Sequence, residues 1–526
     1  GATLARRLLG GGEPEAVPTA ERAVKDAQEA LRAAPRFRAA HAALLAARRT
    51  AVECLNDLGN DEELRNQIDK ALEEAKTYLE SYPNEIPPQF AMADLKRATG
   101  TMLLRRNPSD ELGRTLVGDA RTTLAEMVER ARTLRLDDWI APRRALVFLH
   151  RDLAASSEEN CESARREAAE LVEADADYLE SYRLQASVLR VHAIRHVRDV
   201  VEQIDVLRAA LEVLERGGAR LPHQIPGTAT YDETRVGIRV SLAELLGSRE
   251  LWDEALKCLD EAVEAGEAQL SSRSTPVLRL EAGRAYIRRG ALRASKDLPG
   301  GASDAEAARR IFEQLVASRE ERARREGWYA ALDDSRFLVE EFELDARLES
   351  ARNPPAVTPH AVLELARAER DRARHRVMRW VPFLAMRLDR ATDEVEGALA
   401  RLEGQPPAPA LAGPWARAIE TCRSTRNQIE RARALGPILD RYFRTQSIED
   451  ATALAAGLAE QARDWRSQAE EAVLDSRWAI AFLIQAEQLL ASSIEKSPEN
   501  PDRAKWERDL LEIQRLRASM QPPGGG

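Results

Sequence analysis

Alanine followed four positions later by an apolar or small residue, and three positions after that by another, recurs along the first two thirds of this chain. The spacing occurs at Ala23/Ala27/Ala30, Ala71/Ala75/Tyr78, Ala120/Leu124/Met127, Ala255/Leu259/Ala262 and Ala308/Phe312/Leu315. Weaker copies begin at Ala168, with Val172 but Asp175 third, and at Ala210, with Leu214 but Gly217 third. Successive first positions lie 48, 49, 48, 42, 45 and 53 residues apart. Steps of four and three keep the three side chains on one face of an α-helix. An interval of this size also holds a second helical segment between turn signals, so the repeated unit is a two-helix hairpin. One hairpin cannot bury its apolar face alone, and such hairpins must stack. The rival reading is an irregular helical array whose alanine spacing is coincidence in an alanine-rich chain.

The stretch "LWDEALKCLDEAVEAG", Leu251 to Gly266, shows the pattern at residue level. Leu251, Ala255, Leu259, Ala262 and Val263 fall on one side of a helix, leaving Asp253, Glu254, Lys257, Asp260 and Glu261 as a solvated face. Alanine, leucine, arginine and glutamate dominate the sequence and β-branched runs are scarce, which favours helix throughout. At 526 residues the chain exceeds one compact core, so several domains or an elongated repeat array are expected.

Three copies of the pattern reach proline after a further short step: Pro35 after Ala30, Pro83 after Tyr78, and Pro498 after Ala486/Leu490/Ser493. This ending is similar to the second helix of a tetratricopeptide repeat (TPR), and "AGRAY", Ala282 to Tyr286, resembles its first helix. The intervals are longer than that family's, and the tryptophan expected early in the first helix is mostly absent. The resemblance implies an all-α, TPR-like α-solenoid of stacked helical hairpins followed by a C-terminal helical domain. A TPR groove can also hold a terminal carboxylate in a lysine and asparagine clamp, but no such pair recurs on successive first helices here.

Proline and glycine runs divide the chain. A flexible start is expected over 1–17 and the repeat solenoid over 18–350, with turns at Tyr82 to Gln89, at Asn107, at Gly217 to Glu233 and at Lys296 to Glu306. Thr358 before Pro359 reads as an N-cap. A long helix over 358–403 is expected to kink at Pro382, followed by a proline-rich linker over 404–414. Residues 415–519 read as a C-terminal helical region with one TPR-like hairpin, and 520–526 as a disordered tail.

Basic and acidic side chains number 78 and 88, a net charge of −10 that gives no strong global field for nucleic acid or an acidic membrane. Cys54, Cys161, Cys258 and Cys422 are widely separated and form no CxxC or Cys/His cluster, which suits buried thiols in a reducing cytoplasm. No window reaches the ~18 apolar residues that span a bilayer. The amino end, "GATLARRLLGGGEPE", reads as a trimmed start and not as a secretory signal. The richness in alanine and arginine points to a bacterial genome of high GC content.

Catalytic and cofactor motifs are missing from the sequence: no phosphate loop, HExxH, GxSxG, EF-hand or kinase signature occurs. "HAIRH" places His192 and His196 four apart on one helix face, but a zinc site needs a third ligand, for which only Asp199 or Glu202 is near. "RAERDRARHRVMRW" aligns Arg372, Arg376 and Arg379 beside Trp380, a surface that would contact phosphate or an acidic partner unless its arginines pair with neighbouring acids. No catalytic residue, cofactor or metal is assigned. The expected role is a non-enzymatic scaffold or adaptor that binds another protein or peptide segment along the inner face of the solenoid. Lining residues would be His192, Arg195 and His196 on one hairpin and Arg284, Tyr286 and Arg288 on another. The alternatives are a regulatory subunit or proteolytic substrate controlling an enzyme, and, as a minority reading, a nucleic-acid-associated repeat protein using Arg367 to Arg379. No membrane partner is expected.

Overall fold

A computed structural model describes residues 15–58, 61–83, 85–107, 110–134, 140–154, 157–227, 229–270, 275–296, 298–318, 328–354, 356, 358–377, 384–405, 407–445, 448–468, 477–496 and 500–520. Among them are twenty α-helices and no strand. In chain order α1 is Ala16–Ala33, α2 Arg38–Leu58, α3 Asp61–Ser81, α4 Ile86–Arg106, α5 Glu111–Leu134, α6 Ile140–Ala154 and α7 Glu158–Ala174. Next come α8 Leu179–Arg195, α9 Val200–Arg220, α10 Ala229–Ser248, α11 Trp252–Leu270, α12 Pro276–Ser295, α13 Gly301–Ser318 and α14 Trp328–Arg352. The last six are α15 Pro359–Val377, α16 Leu384–Glu403, α17 Ala412–Thr445, α18 Ile448–Gln468, α19 Arg477–Lys496 and α20 Arg503–Met520. The contacts divide the chain into two units: Gly1–Arg289 with Glu306–Ser335, and Gly290–Ala305 with Arg336–Gly526.

In the first unit, consecutive helices pack as hairpins in which α2, α4, α6, α8 and α10 are the first helices and α3, α5, α7, α9 and α11 the second. The fold is the TPR-like stack of helical hairpins that the alanine interval implies. All seven alanines that open the pattern, from Ala23 to Ala308, are buried. They fall on α1, α3, α5, α7, α9, α11 and α13, the second-helix positions. These helices bury one stripe: α9 encloses Ile204, Leu207, Ala210, Leu214, Gly217 and Gly218. First helices bury residues nearly all round, as α8 does with Leu179, Ser181, Tyr182, Arg183, Leu184, Ala186, Val188 and Ala193. The difference is positional, because a first helix touches its own partner, the preceding second helix and the first helices on either side.

The weak copy of the pattern at Ala210 has a structural reason. A Cβ on Gly217 would lie 2.6 Å from Cγ of Tyr182, so the third position is glycine to admit the ring of the neighbouring first helix. Helix starts are capped where the sequence offers an acceptor. Asp199 accepts from the backbone N–H groups of Val201 and Glu202 at 2.9 Å each, and the Thr358 hydroxyl from Ala361 at 3.2 Å, so Thr358 is the cap its position before Pro359 suggests.

The structure corrects several expectations. Leu251 is 42% exposed because α11 begins one residue later, at Trp252, while Ala255, Leu259, Ala262 and Val263 are buried as expected. Asp260 and Glu261 are not simply solvated, since they pair with Arg289 at 3.1 Å and Arg239 at 2.9 Å. The expected long helix over 358–403 is two helices. Arg376 meets Glu394 at 2.8 Å, and Arg401 pairs with Glu369. Residues 369 and 401 would stand about 48 Å apart along one helix. Pro382, the expected kink, lies outside the described residues. The described residues of 404–414 form an exposed connection, with a 3-10 turn at Pro409–Leu411, between two helices that share one core. The Trp415 indole N–H donates to the Leu402 carbonyl at 2.8 Å, and Leu402, Trp415, Ala418 and Cys422 share one cluster with α15 and α16. Ala16 is buried in α1, so ordered structure starts within the expected flexible segment. Residues 1–14, Pro498 and 521–526 lie outside the described residues.

Candidate partner-binding face

Within the first unit the first helices form a row whose members are joined by polar contacts, except that α6 and α8 meet through Arg183 over the Phe148 ring and through His196, just past α8, on the Ala154 carbonyl. Arg49 of α2 reaches Asp94 of α4 at 2.6 Å, and Arg105 of α4 reaches Asp152 of α6 at 2.9 Å. From α8, Arg190 donates to Ser241 of α10 and Glu281 of α12, each at 3.2 Å. The Thr275 hydroxyl, just before α12, donates to Glu233 of α10, and Arg288 of α12 pairs with Glu244 of α10 at 2.5 Å. The members of each polar contact are some 42 to 91 residues apart in sequence, so only stacking brings them together.

At the middle of the row, Phe148 of α6 is half-buried, with three guanidiniums around its ring. The Cζ atoms of Arg97, Arg151 and Arg183 lie 5.4, 5.0 and 5.8 Å from the ring centroid. Each arginine is held by an acid of its own helix: Arg97 by Asp94 at 2.8 Å, Arg151 by Asp152 at 2.6 Å, and Arg183 by Glu180 at 2.6 Å. Burial pushes Asp152 up, but Arg151, Arg105 and Arg97 outweigh it and hold the carboxyl below its ordinary range. Burial, then the neighbouring Arg183 and Arg105, pull the Arg151 guanidinium down against Asp152. Further along, burial raises the Glu233 carboxyl, with Glu281 and Glu180 adding to the effect. Three arginines thus gather around Phe148 from α4, α6 and α8, while on α10 and α12 Glu244 and Glu281 are taken up by Arg288 and Arg190.

The residues expected to line this face have mixed fates. Arg284 and Arg288 do lie on α12 in the row, Arg284 beside Glu281 at 3.7 Å and Arg288 on Glu244. Tyr286 does not line it. Its ring is buried in the core with Phe312 and Trp328, and its hydroxyl donates to Glu267 of α11. Arg195 is exposed, whereas His192 stands 3.7 Å from the Cys161 sulfur and His196 donates through Nε2 to the Ala154 carbonyl at 2.6 Å. Among the described residues no three His, Cys, Asp or Glu side chains converge on a metal position. Burial drives the Cys161 thiol up to about 11, the wrong direction for a nucleophile paired with His192.

The basic stretch of α15 is not an open surface. Arg376 is 1% exposed and lies between Glu341 of α14 at 3.1 Å and Glu394 of α16 at 2.8 Å. Arg372 is buried beside it, 2.6 Å from Asp345 and 3.4 Å from Glu394. Both arginines serve the core of the second unit, which removes the phosphate-contacting reading for them. Arg379 lies outside the described residues. Burial drives Glu394 up to about 6 despite the pull of Arg376 and Arg372, with Asp345 and Glu341 adding to the rise. A carboxyl raised in the folded state binds its proton more tightly there than when unfolded. Its stabilising contribution is full below about 4.5, the ordinary carboxyl value, and is lost as pH rises through about 6. Glu394→Gln is expected to flatten this fall, and urea midpoints measured at intervals across that window check it. An unchanged slope would show that Glu394 titrates normally.

The row was missed from sequence, although a signal exists. An acid three residues before an arginine recurs on four first helices, as Asp94/Arg97, Glu180/Arg183, Asp232/Arg235 and Glu281/Arg284, and all four pairs form. No family model matches the chain. No curated protein matches it either. Solved structures similar to it include a Rap protein complexed with competence and sporulation factor, at 12% identity and a TM-score of 0.32, over 91% of this chain and 99% of that one. A human IFIT1 dimer with m7Gppp-AAAA follows at 11% identity and a TM-score of 0.29, over 89% of both chains. Yeast Tom70 stands at 12% identity and a TM-score of 0.24, over 98% and 95%. The fold assignment rests on the helix pairing of the chain itself.

Proposed function

We propose that this chain is a non-enzymatic scaffold or adaptor that holds a segment or domain of another protein along the first-helix row of its first unit. The observation that carries this reading is the row's continuity. From α2 to α12 each first helix is tied to another by an arginine, acid or hydroxyl contact, so the polar side chains are fixed before any partner arrives. A preformed surface of this kind loses little conformational entropy on binding. Stacked hairpins present such a surface along successive first helices. None of the described helices is long and apolar enough to cross a membrane, and the row is polar, which suits a protein partner more than a lipid one.

Site-specific photo-crosslinking in the native host tests the proposal. A photoreactive residue at Arg195 or Arg284, on the row, is expected to capture a discrete partner. The same residue at Glu212 of α9 or Lys257 of α11, exposed on second helices, is expected to capture none. Capture only from Glu212 and Lys257 would overturn it.

A further inference from the structure

The three arginines around Phe148 have more donors than their acids use. A guanidinium carries five N–H groups. In Arg97, Arg151 and Arg183 the Nε and Nη2 edge is engaged by Asp94, Asp152 and Glu180 respectively. Among the described residues nothing accepts from Nη1 of Arg97 or Arg151, and neither nitrogen is sealed from water. Nη1 of Arg183 reaches the Thr234 hydroxyl only at 3.5 Å. Three like charges thus stand around one ring, each anchored along one edge, with the other edge turned away from its anchor. Arg97 and Arg183 are buried and Arg151 is half-buried, so the ring and its surroundings limit how much water reaches the three guanidiniums.

We propose that this cluster is the seat of an oxyanion, a carboxylate or a phosphate group, carried by an acidic segment of the partner polypeptide. The proposal rests on the scaffold reading above and names what the partner must present. An oxyanion bridging the free Nη1 groups would relieve the repulsion among the arginines through charge-assisted hydrogen bonds, for which the planar guanidinium fork is well shaped. Charge complementarity favours a polypeptide over a nucleic acid. A phosphodiester strand laid along the row would carry a charge at every nucleotide past Asp94, Asp152, Glu180, Glu233 and Glu281, on a chain of net charge −10. A polypeptide can place one anionic group over Phe148 and uncharged residues along the rest of the row, where Glu233, Glu244 and Glu281 already have partners.

The test is fluorescence anisotropy with the full chain and four labelled probes: hexaglutamate, a neutral peptide bearing one phosphoserine, hexalysine and a short oligouridine. Hexaglutamate, the phosphoserine peptide or both are expected to bind in a salt-sensitive manner, and which of them binds tighter assigns the carboxylate or the phosphate source. Hexalysine is expected not to compete. Arg97→Gln with Arg151→Gln should weaken binding by about tenfold or more, the loss of at least one charge-assisted contact. Arg151→Lys, which keeps the charge and loses the fork, and Phe148→Leu, which keeps the apolar packing and loses the ring, should each weaken it several-fold. They carry the test should circular dichroism show that the double variant does not fold. Binding of neither anionic peptide, equal binding by wild type and variants, or oligouridine binding tighter than both would overturn the proposal. If the peptides fail while crosslinks still arise at Arg195 and Arg284, only this seat is lost. If the crosslinks move off the row, the scaffold reading itself falls.

Discussion

Arg376→Ala is expected to lose on the order of 3 to 5 kcal/mol of unfolding free energy, because it removes one partner from a buried charge cluster. Glu341 is fully buried and meets the Arg376 guanidinium at 3.1 Å, while Glu394 meets it at 2.8 Å. Burial alone pulls Arg376 down, and the carboxylates of Glu341, Glu394 and Asp345 outweigh it and hold the guanidinium above its ordinary value. Without Arg376, Glu341 keeps its burial and loses that compensation. Replacing Arg376 and Glu341 together by methionine should recover most of the loss, since an apolar pair of similar volume has no ionic desolvation cost, and Glu394 retains Arg372 at 3.4 Å. Urea denaturation followed by circular dichroism measures both variants. A loss below about 1 kcal/mol for Arg376→Ala would place the cluster in contact with water and reopen α15 as a surface.

Leu259→Ala, in the first unit, is expected to lose about 2 to 5 kcal/mol, the range for a truncated buried leucine whose surroundings do not collapse. Leu259 is fully buried on α11, one turn from Ala255 and Ala262. Glu261→Ala, two positions away, should lose less than about 1 kcal/mol, since its pair with Arg239 is partly exposed and Arg239 keeps Glu215 at 3.1 Å. The same urea experiment compares them. Equal small effects would mean that the buried face of α11 is misplaced, and with it the face drawn for the other second helices.

These two cases separate what could be read in the sequence from what could not. The buried face of α11 was legible because residues three and four apart share a helix face whatever the rest of the chain does. The same local rule located the seven alanines from Ala23 to Ala308 and the cap at Thr358. For Arg376 the sequence leaves both a contact surface and pairing with neighbouring acids open, and its burial is not legible because the acids that enclose it, Glu341 and Glu394, lie 35 and 18 residues away. Tyr286 failed for a related reason. Its position on a first helix was right, but a first helix is buried on several sides, and no periodicity within α12 says which of its faces meets α11.

Helix positions, hairpin interval and core stripe followed from the amino-acid order alone, because each depends on contacts within a few turns of one helix. The choice of which charges face water, which meet inside the second unit and which gather around Phe148 was made only by the stacking. An acid on the same helix three residues from an arginine can be read locally. The helices that bring Arg97, Arg151 and Arg183 to one ring, or Glu341 and Glu394 to Arg376, are far apart in sequence, and no local pattern says which of them folding will set side by side.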